Sequence, residues 1–213
     1  MSFLTIFNRL LYFLPLILTG CINKAVPVTT EIGLVTESAG YPSVVRNNRS
    51  YILARESRIY ATDVLDTDEE SMLQIRMIDD TLITLAKGSH VVIHRYLQTE
   101  DTAKIEATLT KGAIRATRKH NVNNNIEILF STPIAAIRSF SHDFWASFRD
   151  RTLDVILING TEMEVSNRSG KRQVTQPSYG IKVTAGSGPQ EPILWNEARI
   201  SNAISSTHFP SDK

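Results

Sequence analysis

From Glu31 to Ala185, apolar and polar residues trade places at every second position, in short runs parted by turn residues. Leu73, Ile75 and Met77 share one side of such a run, with Gln74 and Arg76 on the other. Ile105, Ala107 and Leu109 repeat the pattern, as do Ile126, Ile128 and Phe130. So do Phe144, Ala146 and Phe148, then Met163 and Val165, then Tyr179, Ile181 and Val183. A period of two marks a half-buried strand, because successive side chains of a strand point to opposite faces. No stretch of the region offers a helical stripe of about twelve residues. The reading is all-β: a short-strand sandwich, a roll or a short solenoid. No fixed-period repeat settles the solenoid.

Turn chemistry divides the runs. Arg46-Asn47-Asn48-Arg49 lies between Val44-Val45 and Tyr51-Ile52-Leu53 and predicts a hairpin. Asp79-Asp80 parts Met72–Ile78 from Leu82–Leu85, and Lys87-Gly88 parts the latter from Val91–Ile93. Asn159-Gly160 is the strongest hairpin signal, since both central residues of a type I′ turn need positive φ. Asn167-Arg168-Ser169-Gly170 predicts another turn. The end of the chain differs. Leu194, Glu197, Ala198 and Ile200 could line a short helix, or Trp195 could pin an irregular tail to the domain.

The beginning has its own anatomy. Arg9 precedes an apolar stretch from Leu10 to Leu18, and small residues Thr19 and Gly20 lead to Cys21, the single cysteine. This order matches a secretory signal, and the stretch is shorter than the about 20 residues of a spanning helix. Leu18-Thr19-Gly20-Cys21 resembles the lipobox of bacterial lipoproteins. That resemblance implies cleavage before Cys21, lipid on its sulfur and acylation of its amino group, with several chains giving stable anchoring. Ile22, where an Asp would retain the protein at the inner membrane, implies the outer membrane, with the domain facing the periplasm. An ordinary signal peptide or a short anchor is the plainer alternative. With one cysteine no intrachain disulfide is expected.

The expected organisation is a signal peptide over 1–20, a lipidated tether over 21–30, a β domain over 31–188 and a tail over 189–213. The chain beyond the leader is large enough for one well-buried domain or two small ones. Of 23 basic residues one is Arg9 in the leader, and 22 acidic residues balance the rest. Such balance argues against nucleic acid as a partner, which demands an excess of Lys and Arg. Locally the charge is uneven: 56–80 is acid-rich, whereas Lys111, Arg115, Arg118 and Lys119 make 111–120 basic. Two solvated loops account for this, and so does a polar surface for an envelope partner.

Several motifs, in order, resemble the FecR-like domain of bacterial envelope regulators over residues 32–186. They begin with Gly33-Leu34-Val35, Gly40 and the Val44–Leu53 hairpin. Ile59 to Thr67 comes second, then Leu73 to Leu85 around Asp79-Asp80-Thr81, then Ser89 to Tyr96. Lys111-Gly112-Ala113-Ile114-Arg115 comes next, then Ser131-Thr132-Pro133-Ile134-Ala135 with a later Asp143-Phe144. Asn159-Gly160-Thr161 and Ala185-Gly186 complete the series. The resemblance implies a FecR-type all-β domain with a short helical or irregular tail. The chain also departs from the family pattern. Glu56 and Thr62 stand where the family has glycines, and Arg138-Ser139-Phe140-Ser141-His142 replaces a run with two glycines, which implies a reshaped loop. Signalling members carry a cytoplasmic domain that holds a sigma factor. None is expected here ahead of the leader, so sigma-factor control is not carried over.

Candidate chemistry is sparse. His90 and His94 lie two strand periods apart and, with Asp79 or Asp80, could ligate a metal; a solvated strand face is the alternative. His142-Asp143 beside Ser139 and Ser141 has the residue types of a nucleophilic triad, but no glycine-flanked turn strains a serine into place. Asp143 is read instead as a structural carboxylate accepting backbone N–H groups. Glu162 and Glu164 read as the wet face of a strand. Phe140, Phe144, Trp145 and Phe148 cluster, with Phe144 and Phe148 turned to the core and Trp145 to the other face. Packing between sheet and tail explains them. The functional alternative is a binding surface made by Trp145 with Arg138, Arg149 and Arg151, since Arg with aromatics typifies hot spots. No catalytic residue, metal or cofactor is expected. The expected function is non-enzymatic: an envelope lipoprotein binding a periplasmic protein or glycan. A structural spacer is the second reading and a periplasmic hydrolase the third.

Overall fold

The computed structural model describes residues 30–99, 102–118 and 125–209, so Cys21 and the leader lie outside the described residues. In chain order the strands are β1 (Glu31–Ala39), β2 (Ser43–Arg46), β3 (Arg49–Ile52), β4 (Arg58–Tyr60), β5 (Val64–Asp66) and β6 (Met72–Met77). Next come β7 (Leu82–Leu85), β8 (His90–Gln98), β9 (Thr102–Thr117), β10 (Asn125–Ser131), β11 (Ala136–Ser139) and β12 (Asp143–Arg149). The last are β13 (Thr152–Asn159), β14 (Met163–Asn167), β15 (Gly170–Val174), β16 (Tyr179–Thr184) and β17 (Ile193–Leu194), and then the helix α1 (Glu197–Ser205). The domain is all-β with one short terminal helix. Among the described residues no helix is long and apolar enough to cross a membrane.

The strands form one connected sheet folded into two layers. In the first layer the order is β4-β1-β6-β7-β9-β12-β13-β16-β17. In the second it is β3-β2-β5-β8-β9-β10-β11-β14-β15. Among the described residues every pairing is antiparallel except β9 with β10. The chain switches layers repeatedly while moving sideways, so a sandwich cross-section is built with the progress of a solenoid.

Among the described residues only β9 serves both layers. Its first part pairs with β8 and β10, and its last part, Gly112 to Thr117, pairs with β12. The corner is Gly112, at φ +92°. A Cβ there would lie 2.4 Å from Ser89 Cα and 2.6 Å from Gly88 O, so no side chain fits. Ser89 fastens the corner: its Oγ donates to Ala113 O and accepts from Ala113 N–H, each at 3.0 Å.

The alternating residues meet between the layers. Leu73, Ile75 and Met77 from one side and Ile105, Ala107 and Leu109 from the other join one core, with Ile128, Val155 and Val165. Phe130 and Phe144 contact edge to face across it, 6.5 Å between centroids. One buried charge sits at its margin. Asp63, with no exposed surface, accepts two bonds from the Arg46 guanidinium, both 2.6 Å, and one from Tyr60 N–H at 2.9 Å. Arg46 also stacks over the Tyr60 ring at 4.2 Å.

The turns differ in part from expectation. Asn47-Asn48 does form a type I′ hairpin, at φ 50° and 59°. Asn159-Gly160 does not, because β13 and β14 belong to different layers and do not pair. Gly160 is needed for close approach instead: a Cβ on it would meet Ser141 Cβ at 2.5 Å. Ser141 Oγ pins this crossing by donating to Glu162 O (2.7 Å) and accepting from Glu162 N–H (3.1 Å). The second type I′ pair is Asp150-Arg151, at φ 48° and 58°. Glu56 and Thr62, in place of glycines, still hold φ of 70° and 73°. Each left-handed non-glycine residue costs about 1–2 kcal/mol that the surrounding structure must offset. Over 138–142 no residue adopts positive φ.

Gly112→Ala should lower stability by about 3 kcal/mol or more, combining steric overlap with left-handed strain. A denaturant midpoint unchanged from the parent would show that the corner does not hold the layers together.

Candidate functional site

Register alone builds the outer face of the first layer. Glu37, Gln74, Thr84, Arg115, Trp145, Ile156 and Gly180 stand directly opposite one another on β1, β6, β7, β9, β12, β13 and β16. This row is polar at one end and apolar at the other.

The apolar end is covered by the tail. Trp195 lies over Gly180, where a Cβ would be 2.3 Å from the indole nitrogen, and its backbone N–H reaches Ser178 O at 2.9 Å. Trp145 and Trp195 pack edge to face at 6.2 Å. Arg199 stacks on Trp195 at 3.6 Å and bonds Asp154 at 2.9 Å. Asn196 caps α1 by accepting Arg199 N–H at 2.9 Å, which satisfies one open donor of the first turn. Trp145 Nε1 donates to Ser206 Oγ at 3.0 Å. The tail thus forms both a strand and a helix, as part of the folded domain.

The polar end stays open. Thr36 donates to Gln74 Oε1 at 2.8 Å, and Gln74 Nε2 donates to Thr84 Oγ1 at 3.2 Å. Arg115 grips both oxygens of Asp143, at 2.9 and 2.7 Å. Between this platform and the tail runs a groove of about 780 Å³, lined also by Arg55, Thr117, Thr207, His208 and Phe209. Fixed hydroxyl, amide and guanidinium groups on a rigid sheet suit recognition of a polar surface.

The four residues expected to bind do not converge. Arg138 is on β11 in the second layer, bonded to Glu127 at 2.6 Å and stacked on Phe140 at 5.3 Å. Trp145, expected on the face opposite the core, does lie there but is 9% exposed because the tail covers it. Arg149 donates to Lys87 O at 2.8 Å, and Arg151 occupies the type I′ turn. The packing alternative explains Trp145, and the Arg138–Trp145 surface is not formed.

The other candidates are engaged locally. His90 Nδ1 meets Asp66 at 2.6 Å and His94 Nε2 meets Thr108 Oγ1 at 2.7 Å. A bulge in β8 at His94, between Ile93 and Arg95, breaks the parity that would align the two rings. Asp79 accepts the Thr81 hydroxyl at 2.7 Å. Burial first, then the Asp79 carboxylate, raises the Tyr96 phenol above its usual range. Among the described residues no group of three or more His, Cys, Asp or Glu side chains is placed to hold a metal. Asp143 is structural, but its partner is the Arg115 side chain rather than backbone N–H. Ser141 Oγ is committed to Glu162.

Sequence reasoning missed the platform. Gln74, Thr84 and Arg115 each look like ordinary wet-face residues. Only long-range register makes them neighbours, and the length of the tail gives no sign that it returns to β1.

Charge on the second layer forms a ladder. Lys104 reaches Glu106 at 3.1 Å and Glu127 at 3.4 Å, while Arg138 bonds Glu127 from the other side. Burial alone pushes the Glu127 carboxyl up, but Arg138 and Lys104 outweigh it and hold it below the usual carboxylate range. A depressed carboxylate favours folding above its unfolded value, about 4.3, and that contribution is lost as pH falls through the lower folded value. Arg138→Ala should therefore move the Glu127 titration upward, read from its carboxyl NMR shift. An unmoved titration would remove Arg138 as the cause.

The comparisons with known proteins agree with this architecture. Two crystal structures of a proposed anti-sigma factor from Parabacteroides distasonis ATCC 8503 are similar in fold. One has 14% identity and a TM-score of 0.52, covering 66% of this chain and 63% of that one. The other has 15% identity and a TM-score of 0.51, covering 66% and 64%. This chain therefore spans under two thirds of the length of those structures. No curated protein matches it. The family model described as FecR protein matches from Asp63 to Thr161, a span that begins at the buried aspartate and includes the β9 corner. Over residues 63–161 this chain is similar to the FecR protein family.

Proposed function

We propose that this chain is a non-enzymatic regulatory protein of the bacterial cell envelope, whose FecR-like domain binds a periplasmic protein or glycan on the outer face of the first layer. The observation that carries the reading is the groove of about 780 Å³ over Thr36, Gln74, Thr84 and Arg115. Its platform groups are tied to one another, with Arg115 closed on Asp143. Such groups present hydrogen bonds in fixed directions, which favours recognition over proton transfer. The fold likeness to a proposed anti-sigma factor supports a regulatory role.

Attachment is the second element of the proposal. The Leu18-Thr19-Gly20-Cys21 tetrad supports cleavage before Cys21 and lipid on its sulfur, which would hold the domain at the periplasmic side of the outer membrane. The tether over 21–30 would then leave the groove within reach of envelope partners.

A photo-crosslinker at Thr36 should capture a defined envelope partner in pull-downs. Gln74→Ala should cut the yield about tenfold, as loss of about 1.4 kcal/mol would. Capture of no enriched partner would overturn the binding reading in favour of a structural spacer. A Cys21→Ser variant should leave the membrane fraction, and one that still sediments with membranes would overturn the lipid attachment.

A further inference from the structure

We infer that β3 is a docking edge for an extended segment of a partner protein, one that alternates carboxylates with apolar residues. The inference goes beyond the groove and uses the free edge of the second layer.

β3 is the outermost strand of the second layer, and its partner is β2. Its hydrogen-bonding parity is fixed. Arg46 faces Arg49 across the tight Asn47-Asn48 turn, and Leu53 N–H reaches Pro42 O at 2.7 Å. The hydrogen-bonded pairs are therefore Arg46–Arg49, Val44–Tyr51 and Pro42–Leu53. Ser50 and Ile52, at the alternate positions, turn their N–H and C=O groups away from β2 and toward solvent. These four groups form a short open template for one more strand.

The other margins are blunted. β15 carries Lys171 and Arg172, in ion pairs with Glu164 and Glu191. β4 is 3 residues long and β17 is 2. All of β3 is exposed, and large apolar surface gathers around it: Tyr41 is 77% exposed, Val45 40%, Tyr51 47% and Ile52 61%.

Charge selects the occupant. Between Arg46 and Arg58 stand Arg49, Arg55 and a single acid, Glu56. Asp63 neutralises Arg46 and Glu31 pairs with Arg58, whereas no ion pair takes up Arg49 among the described residues. Arg49 and Tyr51 lie on one face of β3, Ile52 on the other, beside Val45 of β2. A segment of period two fits both faces, with carboxylates toward Arg49 and apolar side chains toward Ile52 and Val45. A second copy would bring a like-charged margin against this one. A lipid surface would leave the outward groups of Ser50 and Ile52 without strand partners.

The probe is a fluorescent Glu-Val-Glu-Val-Glu-Val peptide titrated into the full chain in detergent, with Lys-Val-Lys-Val-Lys-Val as control. The acidic peptide should bind saturably, at least about tenfold more tightly than the basic one. Ser50→Pro removes an outward N–H that β2 does not use, a position where an edge strand tolerates proline. It should weaken binding about tenfold or more with the melting curve kept, and Arg49→Glu should do so without any proline. Gln74→Ala should leave peptide binding unchanged, which separates this edge from the groove. Equal affinity for both peptides, no binding, or binding that survives Arg49→Glu would overturn the proposal. So would anionic vesicles bound with loss only in Arg49→Glu, or a concentration-dependent dimer lost in Ser50→Pro.

Discussion

The passage of β9 from one layer to the other holds the fold together. One continuous strand supplies a central member of both layers, so the two cannot slide independently. The crossing works because the backbone turns at Gly112 against Ser89 with no atom to spare. The Ser89 hydroxyl then replaces the ladder bonds that a corner interrupts, answering both the N–H and the C=O of Ala113. A buried polar side chain with both roles filled adds specificity at low cost. Around this fixed point the apolar halves of the strands close on each other, and the polar halves are set outward in known rows.

Most of the fold was legible because burial enforces period two. Leu73, Ile75 and Met77, and Ile126, Ile128 and Phe130, all enter the core as their spacing demands. Turn residues showed where strands stop, but not whether the next strand pairs with the last or crosses to the other layer. Asn159-Gly160 makes the point: the same dipeptide that favours a hairpin also allows close packing on Ser141. Glu56 and Thr62 show the converse, since their left-handed backbones survive the loss of glycine. The β9–β10 parallel pair left no local trace, because it joins residues such as Thr102 and Asn125 across the whole length of β9.

The candidate site was less legible for a related reason. A surface row spanning seven strands is a property of register, which sequence spacing within one strand does not encode. Trp145 carried a true signal, an aromatic on the face opposite the core, yet its partner was Trp195 rather than solvent. Arg138 likewise belongs to a charge ladder with Glu127 and Lys104. In both cases the side chain that looked available was already satisfied by a neighbour far away in the chain.

The return of the tail has a mechanical consequence. Strands added side by side, as in a solenoid, fray from either end, because each touches only its neighbours. Here the last strand lies at one margin of the first layer, but the chain then doubles back. α1 and Ser206 rest on the middle strands, and Thr207, His208 and Phe209 flank the same groove as Thr36 to Ala39 of β1. The strap ties the closing strands to β9, β12 and β13 in the middle of the layer. A load on β16 and β17 is then shared with β9, β12 and β13 instead of peeling the closing strands one by one.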